Sequence, residues 1–224
     1  MQPGAMKPSE SRVLVQVQSD LARLARYDDE SVVADHWARQ RYESGAFAGL
    51  GAARAAAVRT AWHEAGHAVA ALAVGARFSS ASIHYGGAGA AAAGSGAAGS
   101  GARRPGGQGS AGRVHGVTGA GAESFVVDAA GQIAERLMDW TMLDSDAALR
   151  QWLPAWRRDG GDARRFRQAI AARPGRPGWD EVTAWRHSEA VLAPRRLQVR
   201  EVARALLVAP RHLPYAVVAA IARA

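Results

Sequence analysis

The stretch TAWHEAGHAVAALAVG, Thr60 to Gly75, sets two histidines four residues apart with a glutamate directly after the first. In a helix, residues four apart share a face, so His63 and His67 can offer two imidazole nitrogens to one tetrahedral zinc ion. Glu64 stands beside the first of them, within reach of a water that the metal activates, without itself binding the metal. Hydrolysis of a peptide bond needs this division of labour: a Lewis acid polarises the carbonyl and acidifies water, and a carboxylate takes the proton and passes it to the leaving amine. A surface helix with two solvated histidines is the plain alternative. Gly66, inside the motif, removes a side chain where a strand or a substrate backbone could approach.

Two histidines do not complete a catalytic zinc site, which takes three protein ligands and keeps one position for water. The chain has no cysteine, which excludes disulfides and thiolate sites and leaves His, Asp and Glu as metal ligands. By type, the candidates for the third ligand are His36, His84, His115, His187 and His212, together with Glu123, Asp128, Glu135, Asp144 and Asp146. Spacing does not choose among them.

The elements that must position these residues are mostly helical. The segment Ser9–Ala25 mixes strand alternation (Val13, Val15, Val17) with helical spacing (Leu21, Leu24), and Asp29–Tyr42 has the pattern of an amphipathic helix capped by Asp29. Gly45 to Gly51 breaks that pattern. Ala52 to about Val74 is alanine-rich and closed by Gly75, so the motif falls in the middle of a helix. Arg77–Tyr85 and Arg113–Thr118 alternate as strands that can pair as a hairpin. Between them, residues 86–112 are so rich in Gly, Ala and Ser that they bury too little apolar area to offset their ordering entropy, which predicts a disordered loop. Helical periodicity returns at Glu123–Trp140, after Asp144 with Pro154 limiting that helix, and at Gly161–Ala172, closed by RPGRPG. From Trp179 to the end it continues, with a break at Pro194 and a further helix after Pro214. The expected fold is mainly α with a small β-sheet, divided into an N-terminal helical segment, 1–51, and a domain spanning 52–224.

The 224 residues are 48% hydrophobic, enough for one sizeable core, and the net charge of +8 is carried almost wholly by arginine, Lys7 being the sole lysine. Basic charge permits contact with nucleic acid, with RRFR (Arg164–Arg167) and PRRLQVR (Pro194–Arg200) as its footprint. No nucleic-acid-binding motif accompanies it, and charge runs are commonly solvated helix faces, so nucleic acid is not an expected partner. Trp152, Trp156, Trp179 and Trp185 read as packing residues. There is no run of 18 apolar residues and no secretory leader, which points to a soluble, cytoplasmic protein.

TAWHEAGHAVAALAVG resembles the zinc helix of the FtsH-type ATP-dependent metallopeptidases. AAGQIAERLMDWTMLDSDAALRQ, Ala129 to Gln151, resembles a later segment of that family, in which a Gly-x-x-Ala-Glu helix is followed by a turn and a Ser-x-Asp that carries the third zinc ligand. Gly131, Ala134 and Glu135 match that helix. DSD then places the ligand at Asp146, with Asp144 as its rival because WTMLDSD lacks the usual Thr-Gly-Ala. SSASIHY and GRVHGVT stand where the family has an edge strand and its neighbour, and the stretch from Ala190 to Ile221 is similar to its closing helices. The resemblance spans Ala55 to Ile221. It implies an FtsH-like zincin peptidase domain, with HExxH on a central helix beside a short strand pair. It further implies Zn²⁺ held by His63, His67 and Asp146, Glu64 as general base and acid, and Glu135 orienting a ligand histidine. A peptide would add along the strand near Ser79 to His84, with Ser80 and His115 as substrate contacts.

Two departures accompany the resemblance. Residues 86–112 have no counterpart in the family, and this polypeptide carries neither the family's phosphate-binding Gly-x-x-x-x-Gly-Lys-Ser/Thr loop nor its membrane anchor. The expected activity is therefore a zinc-dependent metalloendopeptidase acting on unfolded proteins or peptides without an ATPase of its own, partnered by a separate ATPase or by further copies of itself. The alternative is a binding or regulatory module that retains the metallopeptidase fold without turnover.

Overall fold

In the computed structural model the described residues are 6–24, 50–85, 110–139, 141–158, 161–172, 179–209 and 212–224. The expected helix Asp29–Tyr42, the RPGRPG break and most of the Gly/Ala-rich stretch lie outside them.

Helix α1, Pro8–Leu24, resolves the mixed pattern of the first segment in favour of the helix. Val17 is buried, and α1 packs on two C-terminal helices introduced below. Helix α2, Leu50–Ala73, carries the motif. It ends where Gly75 takes φ +73, with the Gly75 N–H donating to Leu72 and the Ala76 N–H to Ala71. This left-handed turn satisfies the last carbonyls of the helix, and glycine adopts it without Cβ strain.

Three strands form one antiparallel sheet with the first of them in the centre. Strand β1, Ser80–Tyr85, pairs along its length with β2, Ser110–His115, from Ser80 opposite His115 to Tyr85 opposite Ser110. The second strand thus starts three residues before the expected position, inside the low-complexity stretch. Strand β3, Leu213–Pro214, pairs with Ser80 and Ala81 on the other side of β1. It was not expected, because two residues containing a proline give no alternation to read.

Helix α3, Ser124–Asp139, makes the most extensive helix pairing with α2. The crossing is close because its residues are small: a Cβ built on Gly66 would lie 2.4 Å from the Ala130 carbonyl oxygen and 2.5 Å from the Ala134 Cβ. The neighbour that needs Gly66 is therefore helix α3, and not the strand or substrate backbone anticipated for it.

Helix α4, Asp146–Trp156, follows, and helices α5, Gly161–Ala171, and α6, Glu181–Leu192, pack on α3, with α4 docked on α6. Pro154 sits within α4, which runs on to Trp156. Phe166 of α5 is fully buried among Phe125, Trp156 and Trp185, with ring centroids 5.3–6.3 Å apart. Aromatic edges on faces at these distances hold helices at a fixed rotation as well as burying area. A short 3₁₀ turn at Ala193–Arg195 joins α6 to α7, Arg196–Val208, so the break falls at Pro194; α8, Tyr215–Ile221, closes the chain. Helix α1 rests on α7 and α8. The architecture is mainly α with a small three-stranded antiparallel sheet, and no described helix is long and apolar enough to cross a membrane.

Candidate metal centre

His63 and His67 stand one turn apart on α2 and both point at α3. The His63 Nδ1 lies 2.7 Å from Glu135 Oε1, and the His67 Nδ1 lies 2.6 Å from the Val127 carbonyl oxygen. A carboxylate and a carbonyl can only accept here, so each Nδ1 donates its proton and each neutral ring keeps its lone pair on Nε2. Those two Nε2 atoms are 3.0 Å apart. Two lone pairs face each other at that distance only if a proton or a cation joins them.

A carboxylate completes the group. Asp162 Oδ2 is 3.1 Å from His63 Nε2 and 3.4 Å from His67 Nε2. A tetrahedral site with ligand bonds of about 2.0–2.1 Å has edges of about 3.3 Å, so the triangle of 3.0, 3.1 and 3.4 Å has the size that a tetrahedral zinc would need. Among the described residues, His63, His67 and Asp162 form the group of three able to hold a metal ion. Room for the rings depends on Gly131 of α3: a Cβ there would fall 2.5 Å from His63 Nε2 and 2.6 Å from His67 Nε2.

The third member is not the expected one. Asp146 occupies the first turn of α4, where Ser145 caps the helix by accepting from the Ala148 N–H, and its Oδ1 takes a hydrogen bond from Arg186 Nε at 3.0 Å. Its side chain is more than half exposed, and neither it nor its rival Asp144 joins the histidines. The reason lies in packing. Helix α4 docks on α6, whereas α5 lies against α3 and so beside the two imidazoles. Phe166, buried in the aromatic cluster, fixes the rotation of α5, and Asp162, one turn earlier on the same face, is carried to the histidines. Asp162 was not among the candidates, because an acidic residue in a first helical turn, as Asp146 also is, carries no local mark of a metal ligand.

Glu135 meets His63 through Oε1, and its other oxygen is held by Arg59 Nη1 at 3.3 Å. Glu64 is buried; it lies under β2, where a Cβ on Gly112 would come within 2.3 Å of Glu64 Cγ. Ser80 and His115 are not brought to the metal group. Ser80 is in the central strand, flanked by His115 and Pro214, and the His115 Nε2 lies 3.2 Å from Ser82 Oγ. His115 is three residues from Gly112, so the two face opposite sides of β2, and the side with Gly112 meets Glu64. Of the other candidates, His187 pairs with Glu123 at 3.0 Å and Asp128 with Arg165 at 2.9 Å, while His36 and the His84 side chain lie outside the described residues.

The electrostatics follow from this packing. Burial by itself would lower His63, but the hydrogen bonds to Asp162 and Glu135 outweigh it and push its pKa up to about 10. Burial would raise Asp162, yet its bonds to His63 and His67 hold it well below the ordinary carboxylate range. Glu135 is likewise lowered, its hydrogen bond to His63 overcoming burial. Glu64 goes the other way: burial raises it, against the partial opposition of the two histidines. Proton and cation therefore compete for the same three atoms. The chain matches no known protein-family model, no curated protein and no solved structure.

Proposed function

We propose that this protein is a zinc-dependent endopeptidase that hydrolyses peptide bonds in flexible or unfolded polypeptide. The observation that carries the proposal is the convergence of His63 Nε2, His67 Nε2 and Asp162 Oδ2 at tetrahedral spacing, directly beside a buried glutamate. These three atoms would hold Zn²⁺, in a donor set of two imidazoles and one carboxylate that suits zinc and leaves a coordination position free. Bound there, zinc supplies Lewis acidity, polarising the carbonyl to be cut and lowering the pKa of water.

The chain's own residues do the rest. Glu64 takes a proton from the attacking water and returns it to the leaving amine; the burial that raises its pKa brings it nearer the range in which a base both accepts and releases a proton at neutral pH. Glu135 and the Val127 carbonyl fix the two imidazoles in the tautomer that presents Nε2. The substrate's extended backbone lies along β2. Strand β1 is already paired on both sides at Ser80 and Ala81, whereas β2 is the outer strand among the described residues and its Gly112 touches Glu64. Main-chain hydrogen bonds to such an edge give affinity with little dependence on substrate sequence.

Purified protein should contain about one zinc per chain and cleave unfolded casein or a quenched fluorescent peptide. Glu64→Gln should keep the zinc and lose cleavage by roughly 10²–10⁴-fold, the usual contribution of a positioned acid–base group. Zinc-loaded protein in which Glu64→Gln cleaves as fast as the parent would refute the assignment.

A further inference from the structure

The third ligand is held by a device of its own. Asp162 turns Oδ2 toward the imidazoles; its other oxygen, Oδ1, accepts from Arg165 Nη2, three residues on in α5. The same guanidinium donates through Nε to Asp128 Oδ1 at 2.9 Å, on α3. Asp128 directly follows Val127, whose carbonyl orients His67. One planar fork therefore spans the two helices that carry the carboxylate ligand and a ligand's support. Gly161 leaves room for it, since a Cβ there would approach Arg165 Nη1 to 3.1 Å.

Stability does not account for this arrangement. Arg165 is about half exposed, and ion pairs of that kind add little to folding. Direction does account for it. A carboxylate gripped at one oxygen has the other aimed, and Arg59 treats Glu135 in the same way, with Nη1 on Oε2 while Oε1 meets His63. Asp128, mostly buried, lies near Asp162 on the neighbouring helix and gives the Arg165 fork a fixed second anchor. We infer that Arg165, anchored by Asp128, is the positioning residue that aims Asp162 at the metal and sets the affinity of the site.

This inference rests on the metal-site reading above, so the test measures metal binding alone. Zinc affinity is read by competition with a chromophoric chelator, and the visible spectrum of the Co²⁺-substituted protein reports coordination geometry. Arg165→Ala should bind zinc roughly 10–100-fold more weakly, the usual loss when a ligand's support is removed, with the Co²⁺ bands shifted or weakened. Its thermal midpoint in chelator should stay close to that of the parent. Arg165→Lys restores the charge but not the fork, so it should recover only part of the affinity. Asp128→Asn should weaken binding in the same direction, and combined with Arg165→Ala should add less than its own separate effect. Parent-like zinc affinity and Co²⁺ spectrum in Arg165→Ala overturn the inference while leaving the metal site standing. A parent protein that binds neither ion overturns both.

Discussion

Asp162→Asn and Asp146→Asn, compared side by side, separate the ligand set of the fold from the one implied by family resemblance. Asparagine keeps the size of aspartate and removes the charge. At position 162 the lost oxygen anion is the atom 3.1 and 3.4 Å from the two Nε2 atoms; removing an outer support already costs 10–100-fold in affinity, so losing a ligand's charge should cost at least ~100-fold. With zinc at a hundred times the parent's Kd, binding stabilises the folded state by about 2.7 kcal/mol; after a ~100-fold loss it stabilises by about 0.4 kcal/mol. For a chain of this length about 2–4 °C accompany each kcal/mol, so the zinc-induced rise in Tm should be about 5–11 °C in the parent and about 1–2 °C in Asp162→Asn. Asp146 gives up only an exposed pair with Arg186, worth about 0–1 kcal/mol. Its variant should therefore melt slightly lower with or without zinc and keep the full zinc-induced rise. Differential scanning fluorimetry, run with zinc and with chelator, reads all of these values. A zinc response that survives Asp162→Asn and disappears in Asp146→Asn would refute the placement of α5 against α3.

Gly131→Ala would drive a methyl to within 2.6 Å of both ligand nitrogens, so it should abolish zinc binding in the same chelator competition while leaving the far-UV circular dichroism of a helical protein. Gly66→Ala meets backbone, the Ala130 carbonyl at 2.4 Å, which cannot swing aside; overpacking of about 1–3 kcal/mol should lower Tm by about 2–12 °C with or without zinc. The metal-free protein should also show a pH signature. His63 is raised from 6.5 to about 10 in the fold, so its stabilisation is complete below pH 6.5 and is lost as pH climbs toward 10. Thermal melts in chelator should therefore fall across that window, and zinc affinity should rise across it as the competing proton leaves. Melts in chelator that stay level from pH 6.5 to 10 would contradict the hydrogen bonding described for His63.

What local sequence could determine here, it determined through period and composition. Two histidines and a glutamate at helical spacing specify that His63 and His67 share a face whatever the rest of the chain does, because the α-helix repeats every 3.6 residues. Gly75 specifies the end of that helix for a similarly local reason, its freedom to take φ +73. Glu135 was within reach through the family resemblance, in which Gly131, Ala134 and Glu135 match one helix; spacing by itself left it one candidate among several.

The third ligand was not of that kind. Asp146 and Asp162 are both acidic residues in the first turn of a helix, each with an arginine partner, and nothing local separates them. Which one meets the histidines is decided by which helix lies on α3, and that in turn by Phe166 settling among Phe125, Trp156 and Trp185. The same holds for β3, whose two residues become a strand only because β1 offers an unpaired edge, and for Gly66, whose missing side chain admits a helix 64 positions further on. Period belongs to the single element and can be counted along the chain. Convergence belongs to the packing of several elements at once, and only the folded core supplies it.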